Sequence, residues 1–366
     1  MAQPILAIGL MSGTSLDGVD AALIETDGEA HVRRIAFRGE DYSDAARAQL
    51  AEATAVALTY DAPRASPVIA AAADLTARSH ALAVAELLRD AGIQASAVGV
   101  IGFHGQTVAH RPDRGWTWQI GDGAALARMT GIDVVADLRS ADVAAGGQGA
   151  PLLPIYHAAL AAGLSGPVAI LNLGGVANVT LVGAEELVAF DTGPANGLID
   201  SWVETTTGAR FDKDGRLAAA GRVHADVLDT LLDHPFFDQP APKSLDRADF
   251  TIQPARGLSA TDGAATLTAF TAAAVALAID RLPVRPERLL IAGGGRRNPV
   301  MLAMIGERTG IRPEPAEILG WDGDAIEAEG FAYMAVRNLL GLPISFPGTT
   351  GVPRPTTGGT LHRAPR

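Results

Sequence analysis

The chain has 366 residues, 48% of them apolar and 5% aromatic, with a formal net charge of −12 and no cysteine. Such a length exceeds what one core usually organises, so two lobes are expected. The acidic balance counts against nucleic acid or an anionic membrane as partner, because either needs clustered cations, and the lack of thiols excludes disulfides, thiolate zinc sites, iron–sulfur ligation and a cysteine nucleophile.

The N-terminus lacks the basic stretch and long apolar core of a signal peptide. Residues 5–11 and 18–25 read as strands joined by the turn S-G-T-S-L-D-G. Gly13, Thr14 and Ser15 in that turn can offer backbone N–H groups and hydroxyls to a phosphate, and Asp17 and Asp20 beside it can order a hydrated Mg²⁺; the alternative is a solvated hairpin tip. Residues 45–93 read as helical with a break near Pro63–Pro67. SAVGVIGFHGQT then gives a buried strand that delivers His104 and Gln106 just past its end. His104 is either a satisfied structural histidine or a group that binds a hydroxyl, and its spacing to His110 is not that of a zinc site. DVVADLRSAD reads as a further strand, with Arg139 as an anchor for an anionic or hydroxylated substrate or as a surface partner of Asp142. The loop AAGGQGAP carries Gln148, a substrate contact or part of a hinge-like loop.

From residue 167 the plan begins again. PVAILNLGGVANVTLV is strand, glycine turn (Gly174, Gly175) and strand; later RLLIAGGGRRNPVMLAMI puts Gly293, Gly294 and Gly295 between a strand and a helix. The long period fits a duplicated lobe and not a repeat array. In AFDTGPANGLIDSW an apolar strand delivers Asp191 into a turn, placed to accept a proton from water or a hydroxyl, or else to cap the next helix. LTAFTAAAVALAID is too short and too interrupted by threonine to span a bilayer. In GWDGDAIEAEGFAYMAV, Asp324 is a helix-cap candidate, Glu327 shares a face with Phe331, and Glu329 points elsewhere, to solvent. The tail after Pro343, rich in Gly, Pro and Thr, is expected to be irregular. Lysine occurs only at Lys213 and Lys243, so neither a Walker loop nor a protein-kinase lysine is present.

The segments GLMSGTSLDGVD, GFHGQT, QIGDG, GGQGAPLLP, LNLGGVANVT, FDTGPAN, FDKDG, QPAPKS and AGGGRRNP stand in the order and context of the anhydro-N-acetylmuramic acid kinases, and from about residue 8 to about 340 the chain resembles that family. The resemblance implies two duplicated actin-like (ribonuclease H-like) α/β lobes with an ATP and substrate cleft between them, here drawn as residues 1–160 joined by 341–366, and 161–340. It implies ATP with Mg²⁺, a homodimer in the cytoplasm, and a double reaction in peptidoglycan recycling: water opens the 1,6-anhydro bridge of the sugar while the freed oxygen takes the γ-phosphoryl group. By the same resemblance Asp191 is the general base, and Gly13, Thr14, Ser15, Leu16, Asp17, Gly18, Val19 and Asp20 form the ATP loop. Gly174, Gly175 and Gly293–Gly295 are counted with the nucleotide site. Glu327, a second candidate catalytic carboxylate, and Arg139 fall where substrate contacts are expected, and His104, Gln106 and Gln148 are counted with them. A kinase for another anhydrosugar such as levoglucosan, a nonenzymatic ATP-dependent switch, and a glycosidase using Asp191 and Glu327 are the alternatives. The usual D-T-G-P-G-N reads D-T-G-P-A-N here; Ala195 is expected in a first helical turn, and would strain the turn if positive φ were needed.

Overall fold

A computed structural model describes residues 2–245 and 249–365. The chain forms two compact units, Met1–Ala162 with Ala325–Arg366, and Gly163–Asp324.

The first unit is built on a seven-stranded sheet. β1 (Ile5–Ser12), β2 (Gly18–Thr26) and β3 (Val32–Asp41) form an antiparallel meander. Helices α1 (Asp44–Ala57) and α2 (Pro67–Ala91) follow, divided where the prolines predicted a break. Ser43 caps α1 through its side chain, and α2 starts on Pro67 and stops at Gly92 in the left-handed region. β4 (Val98–Arg111) lies parallel to β1, and β5 (Trp116–Ile120) folds back on its far end. After α3 (Gly123–Thr130), the short β6 (Val134–Ala136) pairs parallel to β4. The strand expected over DVVADLRSAD is cut short there, because Asp137 takes a φ of 55° and accepts from the Ser140 hydroxyl, which turns the chain into α4 (Ser140–Ala144). α5 (Pro154–Ala161) closes the segment.

The second unit repeats the plan. β7 (Val168–Leu173), β8 (Val176–Val182) and β9 (Val188–Pro194) form an antiparallel meander. The helices α6 (Asn196–Thr207), α7 (Arg216–Ala220), α8 (Ala225–Leu232) and α9 (Ala260–Asp280) follow. β10 (Arg288–Ala292) runs parallel to β7, and beyond α10 (Pro299–Thr309), β11 (Pro313–Pro315) runs parallel to β10. The order β9-β8-β7-β10-β11 matches β3-β2-β1-β4-β6, with the same strand senses. The fold is thus a duplicated α/β lobe of the ribonuclease H-like, actin-like kind, and each sheet carries its own apolar core.

Three expectations are corrected. α9 has 21 residues, longer than the apolar run read from the sequence, and by length and composition it could cross a bilayer, as could α2. The most apolar window of α9 is 83% buried, which makes it the core helix of its unit. Helix α11 (Ile326–Leu339), drawn with the second lobe, packs on β1, β2 and β4 of the first. A Cβ at Gly9 would overlap the carbonyl oxygen of Ala328, and one at Gly102 that of Phe331, so two glycines let the helix backbone rest directly on the strands. The tail is irregular over most of its length but not throughout: after the short α12 (Pro347–Thr350), β12 (Thr360–His362) pairs antiparallel with β6 at the sheet edge.

Candidate active site

In the first unit the predicted polar residues gather at the C-terminal end of β1 and beside it in β4; His104 and Gln106, expected just past a strand, lie within β4, because that strand runs on to Arg111 to pair with β5. Ser12 Oγ donates to Gly105 O (3.1 Å) and Gln106 Nε2 to Gly13 O (3.1 Å), so the two strand ends are laced together. Leu16 N also donates to Gly13 O (3.2 Å), and Leu16 has a φ of 59°, which folds Gly13–Leu16 into a tight turn. Thr14, Ser15 and Asp17 are exposed, Asp20 is half-buried in β2, and Val19 is buried beside it. Gly18 is required for packing: a Cβ there would overlap the carbonyl oxygen of Glu40 on β3. The Gln106 side chain is fully buried, and its Oε1 has no hydrogen-bond partner.

His104 is 4% exposed. Its Nδ1 lies 2.7 Å from Gly105 O and its Nε2 3.1 Å from Arg139 Nε, so the ring carries its proton on Nδ1 and accepts from Arg139. Burial first, and then the Arg139 charge, hold its pKa well below the usual histidine range. Arg139 Nη1 donates to Gly149 O (2.7 Å). Asp142 is buried, accepting from Gly149 N (2.6 Å) and Thr350 Oγ1 (2.6 Å), while Gln148, half-buried, donates its N–H to Thr350 O (2.7 Å). The Gly-rich loop is therefore fastened to α12, and Arg139 is aimed by His104 and by that loop.

α11 runs opposite to β1. Ala328 and Ala332 face Gly9, and Arg337 and Leu340 face Gly28 past the end of β2. Its first turn, with half-buried Glu327, lies over the C-terminal end of β1, and Phe331 stacks at 4.8 Å on His104. Glu329, expected in solvent, is 3% exposed and accepts from Tyr156 OH (2.8 Å). Asp324 does not cap α11; it accepts from Arg296 Nη1 (2.8 Å) and from Arg297.

In the second unit, backbone groups dominate. The β7–β8 corner at Gly174 and Gly175 accepts three N–H bonds from the start of α6: Ala195 N and Gly197 N to Gly175 O (3.0 and 3.2 Å), and Asn196 N to Gly174 O (3.0 Å). Asn196 Nδ2 donates to Leu173 O (2.8 Å). Gly293 has a φ of 75°, and a Cβ on it would overlap Asn172 Oδ1; one on Gly295 would press on Leu173 Cβ at 2.6 Å. The Gly293–Gly295 loop thus sits directly against the β7–β8 corner, with space left above Gly175, where a Cβ would meet nothing within 4 Å. Arg296, below the loop, is itself nearly buried; it donates to Gly293 O (3.0 Å) and Glu317 Oε1 (2.6 Å), and it pairs with the partly exposed Asp324.

Asp191 lies in β9, 7% exposed. Its N–H donates to Lys243 O (2.9 Å), and its Oδ2 accepts from Leu245 N (2.8 Å). It does not cap α6, whose N-cap is Ala195. Ala195 precedes the helix with φ −130° and ψ −120°, outside the first helical turn and without positive φ. The residues that clasp Asp191 are Lys243, within QPAPKS, and Leu245, just after it.

The family model for anhydro-N-acetylmuramic acid kinase matches residues 5–364. The chain belongs to that family. A relative from Rhizorhabdus wittichii bearing that name is 67% identical over 361 residues, covering 98% of this chain and 99% of its own. Another of that name, from Zymomonas mobilis, is 55% identical over 363 residues, covering 98% and 100%. Among solved structures, component A of the (R)-2-hydroxyglutaryl-CoA dehydratase of Acidaminococcus fermentans gives a TM-score of 0.48 at 12% identity, over 91% of this chain and 99% of that one.

Proposed function

We propose that the protein uses ATP to convert 1,6-anhydro-N-acetylmuramic acid to N-acetylmuramic acid 6-phosphate in peptidoglycan recycling, with Asp191 as general base. Family membership supports the reaction. The observation that carries the assignment of Asp191 is its held geometry. One carboxylate oxygen is fixed by Leu245 N at 2.8 Å in a nearly buried setting, which orients the group to take a proton from water attacking the anomeric carbon. The C1–O bond to the bridge then breaks, and the bridge oxygen keeps that electron pair as it bonds the γ-phosphorus while ADP leaves.

ATP fits the glycine corners, because three close approaches around Gly293 and Gly295 exclude side chains and the peptide at Gly175 is open to a ligand. Gly13–Asp20, Gly174, Gly175 and Gly293–Gly295 are assigned to phosphate and nucleotide binding. Mg²⁺ bound with nucleotide keeps most of its waters and needs one or two carboxylates, and exposed Asp17 with half-buried Asp20 meets that need. When bound, Mg²⁺ supplies charge neutralisation at the phosphates. Arg139, which donates to His104 Nε2 and Gly149 O, is assigned to the sugar's carboxylate; His104, Gln106, Gln148 and Glu327 complete that end of the first unit. The homodimer and the cytoplasmic location rest on the family resemblance.

The test is turnover of Asp191→Asn with 1,6-anhydro-N-acetylmuramic acid, levoglucosan or no sugar. Retained ATP binding with a loss of at least about a thousandfold in turnover is expected. Near-normal turnover overturns the base assignment, and a preference for levoglucosan overturns the substrate.

A further inference from the structure

We propose that Lys243 is a positioning residue for Asp191: its buried ammonium group anchors the 243–245 segment that grips the carboxylate and supplies positive charge that favours the carboxylate's ionised form. The inference rests on the general-base reading of Asp191.

Of the two lysines, Lys213 is exposed and Lys243 is 7% exposed. A lysine is rarely buried unless something holds its charge. Here Nζ donates to Phe236 O (2.7 Å), lies 4.1 Å from the centroid of the Phe236 ring and 5.9 Å from that of Phe237. These contacts are to neutral groups. The charges that act on the ammonium group are Asp191 on β9 and Asp238 at the end of the 235–238 turn, which favour it, and Arg281 after α9, which opposes it. His234 accepts from Phe236 N at Nδ1 (3.2 Å), and its ring lies 4.2 Å from that of Phe250.

The same residue reaches Asp191 through the backbone. Lys243 O accepts from Asp191 N, and two residues on, Leu245 N donates to Asp191 Oδ2. Fixing the lysine head at Phe236 therefore fixes both bonds that orient the base. Burial pushes the pKa of Lys243 down to about 8, with Arg281 acting in the same direction against Asp238 and Asp191. The Asp191 interaction is reciprocal: a carboxylate that favours the ammonium form is itself favoured as a carboxylate. Turnover is then expected to fall as pH rises through about 8, where the ammonium is lost.

The test is the pH profile of kcat for the wild type and for Lys243→Met, Lys243→Arg and Asp191→Asn, with ATP and 1,6-anhydro-N-acetylmuramic acid. Lys243→Met is expected to lower kcat roughly tenfold, to move the acidic limb up by about one pH unit and to abolish the limb near pH 8, with KM for the sugar within about twofold. Lys243→Arg should restore the acidic limb and carry the basic limb beyond the measured range, a rescue that a purely structural lysine would not give. A Lys243→Met profile with an unmoved acidic limb overturns the inference. An active Asp191→Asn strikes the base assignment instead. If Lys243→Met does not fold, Asp238→Asn at an exposed position carries the test: the basic limb should move to lower pH, and an unmoved limb overturns the inference.

Discussion

The same corner is built twice by different means. In the first unit the turn after β1 runs from Gly13 to Asp17 and is laced by side chains, with the Gln106 amide on Gly13 O and the Ser12 hydroxyl on Gly105 O. In the second unit the turn after β7 is the pair Gly174-Gly175, held by three backbone N–H groups of the chain entering α6 and by the Asn196 amide on Leu173 O. Each corner has an amide side chain on a carbonyl, but one amide comes from the neighbouring parallel strand and the other from the helix after the third strand. The difference teaches that duplication preserved the device and not the residue that serves it. It also leaves hydroxyls and carboxylates displayed in one unit and bare backbone in the other.

The comparison breaks most severely at the strands beneath the corners. β1 and β4 carry Gly9 and Gly102 under α11, whereas β7 and β10 contain no glycine. Gly9→Val would drive two methyl groups into the backbone of α11 at Ala328, and we expect no soluble folded protein; Gly9→Ala should already lower Tm by 10 °C or more, on the order of several kcal/mol. A thermal melt and soluble yield read this out, and an unchanged Tm would show that α11 is not seated on β1 as described.

The amides themselves come next. Asn196→Leu removes the amide that donates to Leu173 O where two glycine corners meet, and about a tenfold rise in KM for ATP is expected. Gln106→Leu removes the amide bonds to Gly13 O and Thr107 O, but Gly13 O keeps the bond from Leu16 N, so a rise of about threefold is expected. Initial rates at varied ATP measure both. Equal effects, or a larger one for Gln106, would mean that the first-unit turn carries more of the nucleotide's binding than the glycine corners do.

Much of this architecture was legible because the relevant signals are local. The two strand-turn-strand units, the glycine loops and the proline break between α1 and α2 follow from residue type and period, and the duplication from their spacing. Long-range assignments were less legible. Nothing in IEAEGFAYMAVRNL says that its partners are Gly9 and Gly102, more than two hundred residues earlier, so the sequence alone indicates neither that α11 belongs to the first sheet nor that Glu329 meets Tyr156. β3 leaves little trace in the sequence, because its residues alternate only weakly. The clasp on Asp191 is silent in the sequence for the same reason: its partners are a backbone N–H donor at Leu245 and a carbonyl acceptor at Lys243, and backbone groups carry no sequence signal.

Acid distinguishes the units by a subtler route. His80, His104 and His157 are buried in the first unit, while His224 and His234 of the second are partly exposed. Burial lowers the pKa of His80 to about 4 and that of His157 to about 3. The unfolded chain, with ordinary histidines near 6.5, therefore binds more protons between about pH 4 and 6.5, and stability falls as pH drops through that window. Hydrogen exchange should show the first unit loosening before the second at pH 5. His80→Phe, which can keep the edge contact with Phe103 (4.9 Å), should reduce the loss of Tm between pH 7 and 5. An identical pH slope in wild type and variant would exclude His80 as a source.

The smallest expected effect sharpens the second corner. Ala195 donates its N–H to Gly175 O from a fully buried position at φ −130°, so neither its hydrogen bond nor the sign of φ calls for the glycine usual in the motif. Ala195→Gly removes a buried methyl and frees the unfolded chain, which together cost about 1 kcal/mol. A drop in Tm of a few degrees with unchanged kcat is therefore expected. Were kcat to rise instead, the methyl would be restraining the approach of the β9–α6 junction to its ligand, and the geometry around Asp191 would have a second determinant four residues downstream of the carboxylate it holds.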